Sequence, residues 1–157
     1  SATKTFNIAG TKNSYVVIEN PKLRTVFKQR QLANNQHEIS GLGYIATEAA
    51  YRHGKPWLTE LKQVFEKHID YVVYELQEKT HIRVMKPQGT YLLWLDFSAY
   101  PYSDEDLHAK IHDHAKLILN RGSDFGKEGN LHARLNVAAP FTLIEEITKR
   151  LVETFHK

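Results

Sequence analysis

Lys4 stands among hydroxyls, with Ser1, Thr3 and Thr5 around it. A primary amine condenses with a carbonyl carbon only when its pKa, ordinarily near ~10.4, is depressed by burial or by nearby cations. The flanking hydroxyls are of a kind that can hold phosphate oxygens. Taken singly, Lys4 reads better as a solvated surface lysine. Arg134 is the second candidate. It projects from the polar side of an alternating segment, beside Asn136, and a guanidinium placed there can grip a carboxylate through two parallel hydrogen bonds. A structural ion pair at a strand edge is the plainer reading of the same position. The glycine-rich stretch Asn120 to Gly129 (Asn-Arg-Gly-Ser-Asp-Phe-Gly-Lys-Glu-Gly) allows tight backbone turns. It lacks the strand, G-x-G-x-x-G and helix order of a dinucleotide fingerprint, so it reads as a connection. His108 and His112 share a helical face, with His114 nearby. No glutamate follows His108 in the H-E-x-x-H manner and no third ligand is evident, so a solvated helix surface is expected and no metal.

These residues need elements to position them. Tyr15 to Glu19 (Tyr-Val-Val-Ile-Glu) is a β-branched run and a buried-strand candidate whose neighbours are absent from the surrounding sequence. Pro21 suits a first helical turn, with Leu23, Val26, Phe27 and Arg30 on one face. Ser40 to His53 reads as a second helix presenting Leu42, Ile45, Ala46 and Ala49; Gly41 and Gly43 in it weaken the helix or mark close packing. Gly54 ends it and Pro56 opens the clearest helix, with Trp57, Leu61, Val64, Phe65, His68, Val72 and Leu76 at helical spacing. Thr90 to Phe97 reads as a central strand. Ser103 with Asp106, and Thr142 with Glu145, have capping-box spacing. In Leu131 to Ala138, Leu131, Ala133, Leu135 and Val137 alternate with His132, Arg134, Asn136 and Ala138. A terminal helix carries Leu143, Ile147, Leu151 and Phe155. The pattern predicts an α/β layer architecture, a mixed sheet covered by helices.

Taken in order, these segments resemble a family. Ser1-Ala2-Thr3-Lys4 is similar to the S-x-x-K cofactor-lysine motif of fold-type I pyridoxal-phosphate (PLP) enzymes, the aminotransferase class I/II family. Thr5 to Gly10 resembles the segment after that lysine in the MalY/PatB-like cystathionine β-lyase branch. Gln88 to Asp96 resembles that branch's small-domain strand, and Asn120 to Gly126 with Arg134 to Pro140 its carboxylate-arginine region. The resemblance covers essentially the whole chain. It implies that PLP attaches covalently to Lys4, and that Lys4, once released by substrate, removes the Cα proton, a role worth about 10² to 10⁴ in rate. It further implies that Ser1, and more weakly Thr3, hold the phosphate and that Arg134 clamps the substrate carboxylate. Many aminotransferases carry an arginine eight residues after the lysine. Lys12 stands there instead, keeping the charge without the two-pronged fork, a departure that leans towards the lyase branch.

The implied architecture is a small C-terminal domain, residues 40–157, after a remnant of the large PLP-binding domain, residues 1–39. The family's phosphate loop, its ring-stacking aromatic and its pyridinium-pairing aspartate precede the lysine. A fragment is therefore expected, binding PLP poorly and turning over no substrate by itself. The leading activity is C–S β-lysis of an amino acid such as cystathionine, giving pyruvate, ammonia and a thiol. The alternatives are amino transfer to a 2-oxo acid and a non-catalytic ligand-sensing domain. A homodimer is implied for the full-length enzyme.

Composition limits the rest. The chain has 157 residues, 41% hydrophobic and 25% charged, which suits a globular chain of one domain or one and a piece. Its 21 basic and 18 acidic residues are interspersed, leaving +3; there is no basic stripe of the kind that marks a nucleic-acid binder. No apolar run nears the roughly 18 residues of a membrane helix. Cysteine is absent, excluding disulfides and thiolate metal sites; that absence fits a reducing, cytoplasmic setting.

Overall fold

A computed structural model describes residues 2–36 and 38–157. They form two compact units that divide between Leu61 and Lys62, within one long helix.

The first unit is helical. A single turn, α1 (Ala2–Thr5), occupies a stretch in which sequence suggests no helix. A 3-10 turn at Ala9–Thr11 comes next. Helix α2 (Pro21–Ala33) begins where Pro21 predicts, because the Asn20 side chain accepts the Lys22 and Leu23 N–H groups and Pro21 has no N–H to satisfy. Helix α3 (Gly41–His53) is capped by Ser40, which accepts from the Gly43 N–H. It turns inward through Gly43, where an added Cβ would lie 2.8 Å from the Thr11 carbonyl. Close packing at that glycine, not the expected stripe, therefore sets the helix's rotation: Leu42 and Ile45 are exposed. Leu23, Val26 and Phe27 of α2 are exposed as well. Phe6 fixes the start of α4 (Lys55–Lys79) by lying against Trp57, with ring centroids 6.2 Å apart, and edge-on to Tyr51 at 5.8 Å.

The strand expected at Tyr15 to Glu19 does not form. The segment carries no ladder, and Tyr15, Val16 and Val17 are 64%, 57% and 78% exposed. β-Branched residues favour an extended chain, but a strand exists only where another backbone meets its N–H and C=O groups. None of the described residues does so here.

The second unit is a sheet covered by helices on one face. Strands β1 (Arg83–Met85), β2 (Leu92–Asp96), β3 (Asn120–Arg121) and β4 (His132–Asn136) lie in the order β1-β2-β4-β3. Every pair is antiparallel, where a mixed sheet is expected from sequence. The short strands β1 and β3 carry too little periodicity to be read from sequence. The inner face holds Leu93, Leu95, Ala133 and Leu135, all at 2% exposure or less. Against it pack Val72 and Leu76 of α4, Leu107 and Ile111 of α5 (Asp104–Asp113), and Ile144, Leu151 and Phe155 of α6 (Phe141–Phe155). The alternation expected for residues 131–138 holds, with Ala133, Leu135 and Val137 buried.

Two details of α6 differ from expectation. The helix starts at Phe141 after Pro140 with no side-chain cap, so Thr142 and Glu145 fall inside the first turns instead of bracketing the start. Its buried face runs through Ile144, Thr148, Leu151 and Phe155, leaving Leu143 48% exposed. Thr148 satisfies its buried hydroxyl on the Ile144 carbonyl at 2.7 Å, which is how a polar residue enters an apolar stripe. The Ser103 cap of α5 forms as expected: its hydroxyl accepts the Asp106 N–H and donates to the Asp106 carboxylate. Among the described residues no helix is long and apolar enough to cross a membrane.

Candidate cofactor and carboxylate site

Lys4 lies in the last turn of α1, exposed, and no ion pair engages it among the described residues. The turn that carries it is anchored through its backbone. Ala2 is buried and its carbonyl accepts the Phe6 N–H at 3.0 Å; the Thr3 carbonyl accepts the Ile8 N–H at 3.0 Å. Phe6 packs on Trp57 and Tyr51, so a short turn is tied to a long helix through one aromatic ring. Thr3 is half-buried. Lys12 closes the 3-10 turn in a left-handed conformation, φ 49°, with its side chain exposed. Ser1 lies outside the described residues. The donor set of this unit suits PLP: an accessible primary amine to bond the aldehyde carbon, a hydroxyl on the same turn, and a second cation to offset phosphate charge.

Arg134 belongs to the second unit. It lies in the middle of β4, opposite Trp94 of β2 on one side and Asn120 of β3 on the other. Alternation turns it to the sheet's outer face, away from the helices. Its Nη2 donates to Asn120 Oδ1 at 3.0 Å, and its guanidinium lies over the Phe125 ring at 4.5 Å. Phe125 meets Trp94 edge-on at 5.8 Å, and Trp94 stacks on His132 at 5.6 Å. The Arg134 Nε is buried with no hydrogen-bond partner among the described residues. A guanidinium has five N–H donors, and here one is spent on Asn120. The guanidinium lies over an aromatic ring and keeps donors that a carboxylate could use. The stack contributes about 0.5–2 kcal/mol depending on desolvation. Asn136, adjacent in sequence pattern, instead accepts the Ala138 N–H at 2.8 Å and finishes the strand.

Sequence reasoning missed Trp94, Phe125 and Asp104. Trp94 was findable, because alternation along residues 90–97 puts it opposite the buried Leu93 and Leu95. Phe125 and Asp104 were not, since what they touch lies far along the chain. Asp104 Oδ1 accepts the Leu131 N–H at 2.8 Å and Oδ2 the Ser123 hydroxyl at 2.9 Å. Burial alone would raise this carboxyl. The two donors, together with the nearby His108 and Arg121, outweigh burial and hold it below the ordinary carboxylate value. His108, expected on a solvated surface, is buried at 6% exposure; its Nε2 lies 3.7 Å from Asp104, and that atom has no hydrogen-bond partner among the described residues. Burial lowers its pKa, with Asp104 opposing. His112 remains on the surface beside Asp113. Among the described residues no three His, Cys, Asp or Glu side chains converge as a metal site would need.

Comparison with known proteins agrees with this reading of the fold. Residues 1–151 match the family "Aminotransferase class I and II". The chain is 35% identical over 150 residues to cystathionine beta-lyase PatB of Bacillus subtilis, covering 95% of this chain and 39% of PatB. It superposes on cystalysin of Treponema denticola, solved with a pyridoxal 5'-phosphate cofactor, with a TM-score of 0.92 and 32% identity over 98% of this chain and 39% of that one. The PLP-bound C-S lyase of Staphylococcus hominis gives 0.84 at 26% identity, covering 98% of this chain and 40% of that one. The chain thus spans about two-fifths of the length of the relatives it matches. With that family match extending from the turn of Lys4 through the strand of Arg134 and into α6, this chain belongs to the class I and II aminotransferase family.

Proposed function

We propose that this chain supplies the cofactor lysine, Lys4, and the carboxylate-binding arginine, Arg134, of a PLP-dependent C–S β-lyase. The observation that carries the reading is the Arg134 guanidinium, stacked on Phe125 and oriented by Asn120 on the open face of the sheet. Similarity to cystathionine beta-lyase PatB and to C-S lyases supports the lyase branch.

In this proposal Arg134 binds the α-carboxylate of an amino acid and so fixes its Cα. Lys4 Nζ then takes the Cα proton as general base. Lys12 offsets phosphate charge, with Ser1 and Thr3 offering hydroxyls to it. Bound PLP supplies the electron sink for the pair left at Cα. Loss of the β-thiolate, and then hydrolysis, gives a thiol, pyruvate and ammonia. The domain division at residues 39 and 40 and a homodimeric full-length enzyme belong to the same proposal. Since the relatives are about two and a half times as long, turnover is assigned to a polypeptide of their length and not to these 157 residues.

Amino transfer is the second reading, supported by the family's own description. Lys4 and Arg134 would serve it equally, because the two reactions diverge only after the Cα proton has left.

Borohydride reduction in the presence of PLP, then digestion and mass analysis, tests the cofactor assignment. A pyridoxyl adduct on Lys4 is expected in a polypeptide of the relatives' length and little of it in this chain by itself. Absence of the adduct from Lys4 in the longer polypeptide would overturn the proposal. Pyruvate released from cystathionine then selects the lyase, and a 2-oxo acid that keeps the whole substrate skeleton selects the transaminase.

A further inference from the structure

Arg134 lies over Phe125, and Phe125 sits on a loop whose two ends one carboxylate joins. The loop leaves β3, makes 3-10 turns at Gly122–Phe125 and Lys127–Gly129, and returns to β4. Its neck is closed by glycine on glycine: a Cβ at either Gly122 or Gly129 would collide with the backbone of the other. At its return, Leu131 adopts a left-handed conformation, φ 59°, that a leucine side chain disfavours. Such a conformation persists only when its surroundings hold it. Asp104 supplies the hold. One oxygen accepts the Leu131 N–H at 2.8 Å and the other the Ser123 hydroxyl at 2.9 Å, so the carboxylate bridges the two ends of the loop. The side chain is 13% exposed, which leaves water little room to substitute. Nor does α5 need Asp104 as a cap, because Ser103 already accepts the Asp106 N–H.

We propose that Asp104 is a positioning residue for carboxylate binding: by bridging Ser123 and Leu131 it sets the loop that holds Phe125 against the Arg134 guanidinium. The inference rests on the reading of Arg134 as the carboxylate ligand. A guanidinium that is already held in place loses less freedom when a carboxylate arrives. Release of the loop leaves Arg134 its charge and its Asn120 contact but removes the stack.

The test uses the full chain with 15N-labelled arginine and sodium acetate as the carboxylate probe. Two quantities are read: solvent exchange of the Arg134 Nε–H without acetate, and the shift of that resonance on titration. In the unsubstituted chain slow exchange and a saturating shift are expected. Asp104→Ala should speed the exchange and weaken acetate binding, each by about tenfold, the scale on which loss of pre-set geometry acts. Ser123→Ala, which removes one contact, should weaken binding by about twofold to threefold, and Asp104→Asn should lie between, because an amide oxygen still accepts the Leu131 N–H. If Asp104→Ala unfolds the unit, seen as lost protection at Ala133 and Leu135, the other two variants decide. Acetate binding and Nε–H exchange unchanged in all the folded variants would overturn the positioning role and leave the Arg134 reading intact. No acetate shift in the unsubstituted chain would overturn the carboxylate reading; the exchange rates would then still judge whether Asp104 orients Arg134.

Discussion

At the scale of single residues, the outer face of the sheet shows how little the type of a side chain says without its contacts. Arg134→Lys keeps the charge but loses both the planar fork and the ring stack. We expect at least about tenfold weaker acetate binding in that variant, a loss of about 1.4 kcal/mol or more, with the stability of the unit almost unchanged; titration and a urea curve on the same sample check both halves. His108 makes a prediction about pH. Burial depresses its pKa below the ordinary 6.5, Asp104 and Asp124 oppose that, Arg121 adds to it, and the His132 backbone opposes it weakly. The unfolded chain therefore takes the proton first. The stability His108 contributes is complete above pH ~6.5 and is lost as pH falls from there through its folded value. Asp104, held below its ordinary 3.8, adds a second loss at more acidic pH. Urea midpoints should fall between pH 7 and 5, and His108→Leu should flatten that interval; the acid limb near pH 3 should persist but weaken, because the Leu131 and Ser123 donors to Asp104 remain while the attraction of protonated His108 is lost. A His108→Leu profile parallel to the unsubstituted one would show that another group titrates there.

Among the elements, ends and crossings carry the specificity. Ser103 is a cap legible from its spacing, and Ser103→Ala should cost about 1 kcal/mol in a denaturant curve. Thr142 has the same spacing and caps nothing, because Pro140 and Phe141 begin the helix earlier. A capping box records what a start could be, while packing of Ile144 and Leu151 against the sheet decides where the helix lies. Gly122 and Gly129 form a crossing that no local pattern announces. Gly129→Ala should destabilise the second unit by about 1–3 kcal/mol through overpacking. It should also speed exchange of the Arg134 Nε–H, since the loop that carries Phe125 can no longer close; rapid exchange without any loss of stability would point to a different cause.

At the scale of the molecule, the two units have contrasting surfaces. The second encloses one core, where Leu135→Ala should cost about 2–5 kcal/mol. The first leaves Tyr15, Val16, Val17, Leu42 and Ile45 exposed. Hydrogen exchange should separate the two. Amides of residues 15–17 should exchange without measurable protection, and those of residues 93–95 and 133–135 only through opening of the whole sheet. Strong protection at residues 15–17 would mean that a backbone partner covers them in solution. Family membership and coverage of about two-fifths of the relatives set this contrast in context.

Sequence by itself determined whatever a short window of residues encodes. Pro21 and Asn20 placed the start of α2, helical spacing from Trp57 to Leu76 drew α4, and alternation from Leu131 to Val137 told the inner from the outer face of β4. The order of short motifs pointed to the family and to Lys4 and Arg134. Tertiary structure decided what depends on distant partners. It left Tyr15 to Glu19 without a ladder, because β-branched residues need a neighbouring backbone to become a strand. It turned α3 away from its apparent stripe, because Gly43 fits where a bulkier group would not, and on α6 it kept the expected Leu151 and Phe155 inside while putting Ile144 and Thr148 there in place of Leu143. It brought Asp104 to Leu131, 27 residues on, and Phe125 to Arg134. Local geometry limits each residue to a few conformations, whereas which residues meet across the sheet is settled only when the whole core closes.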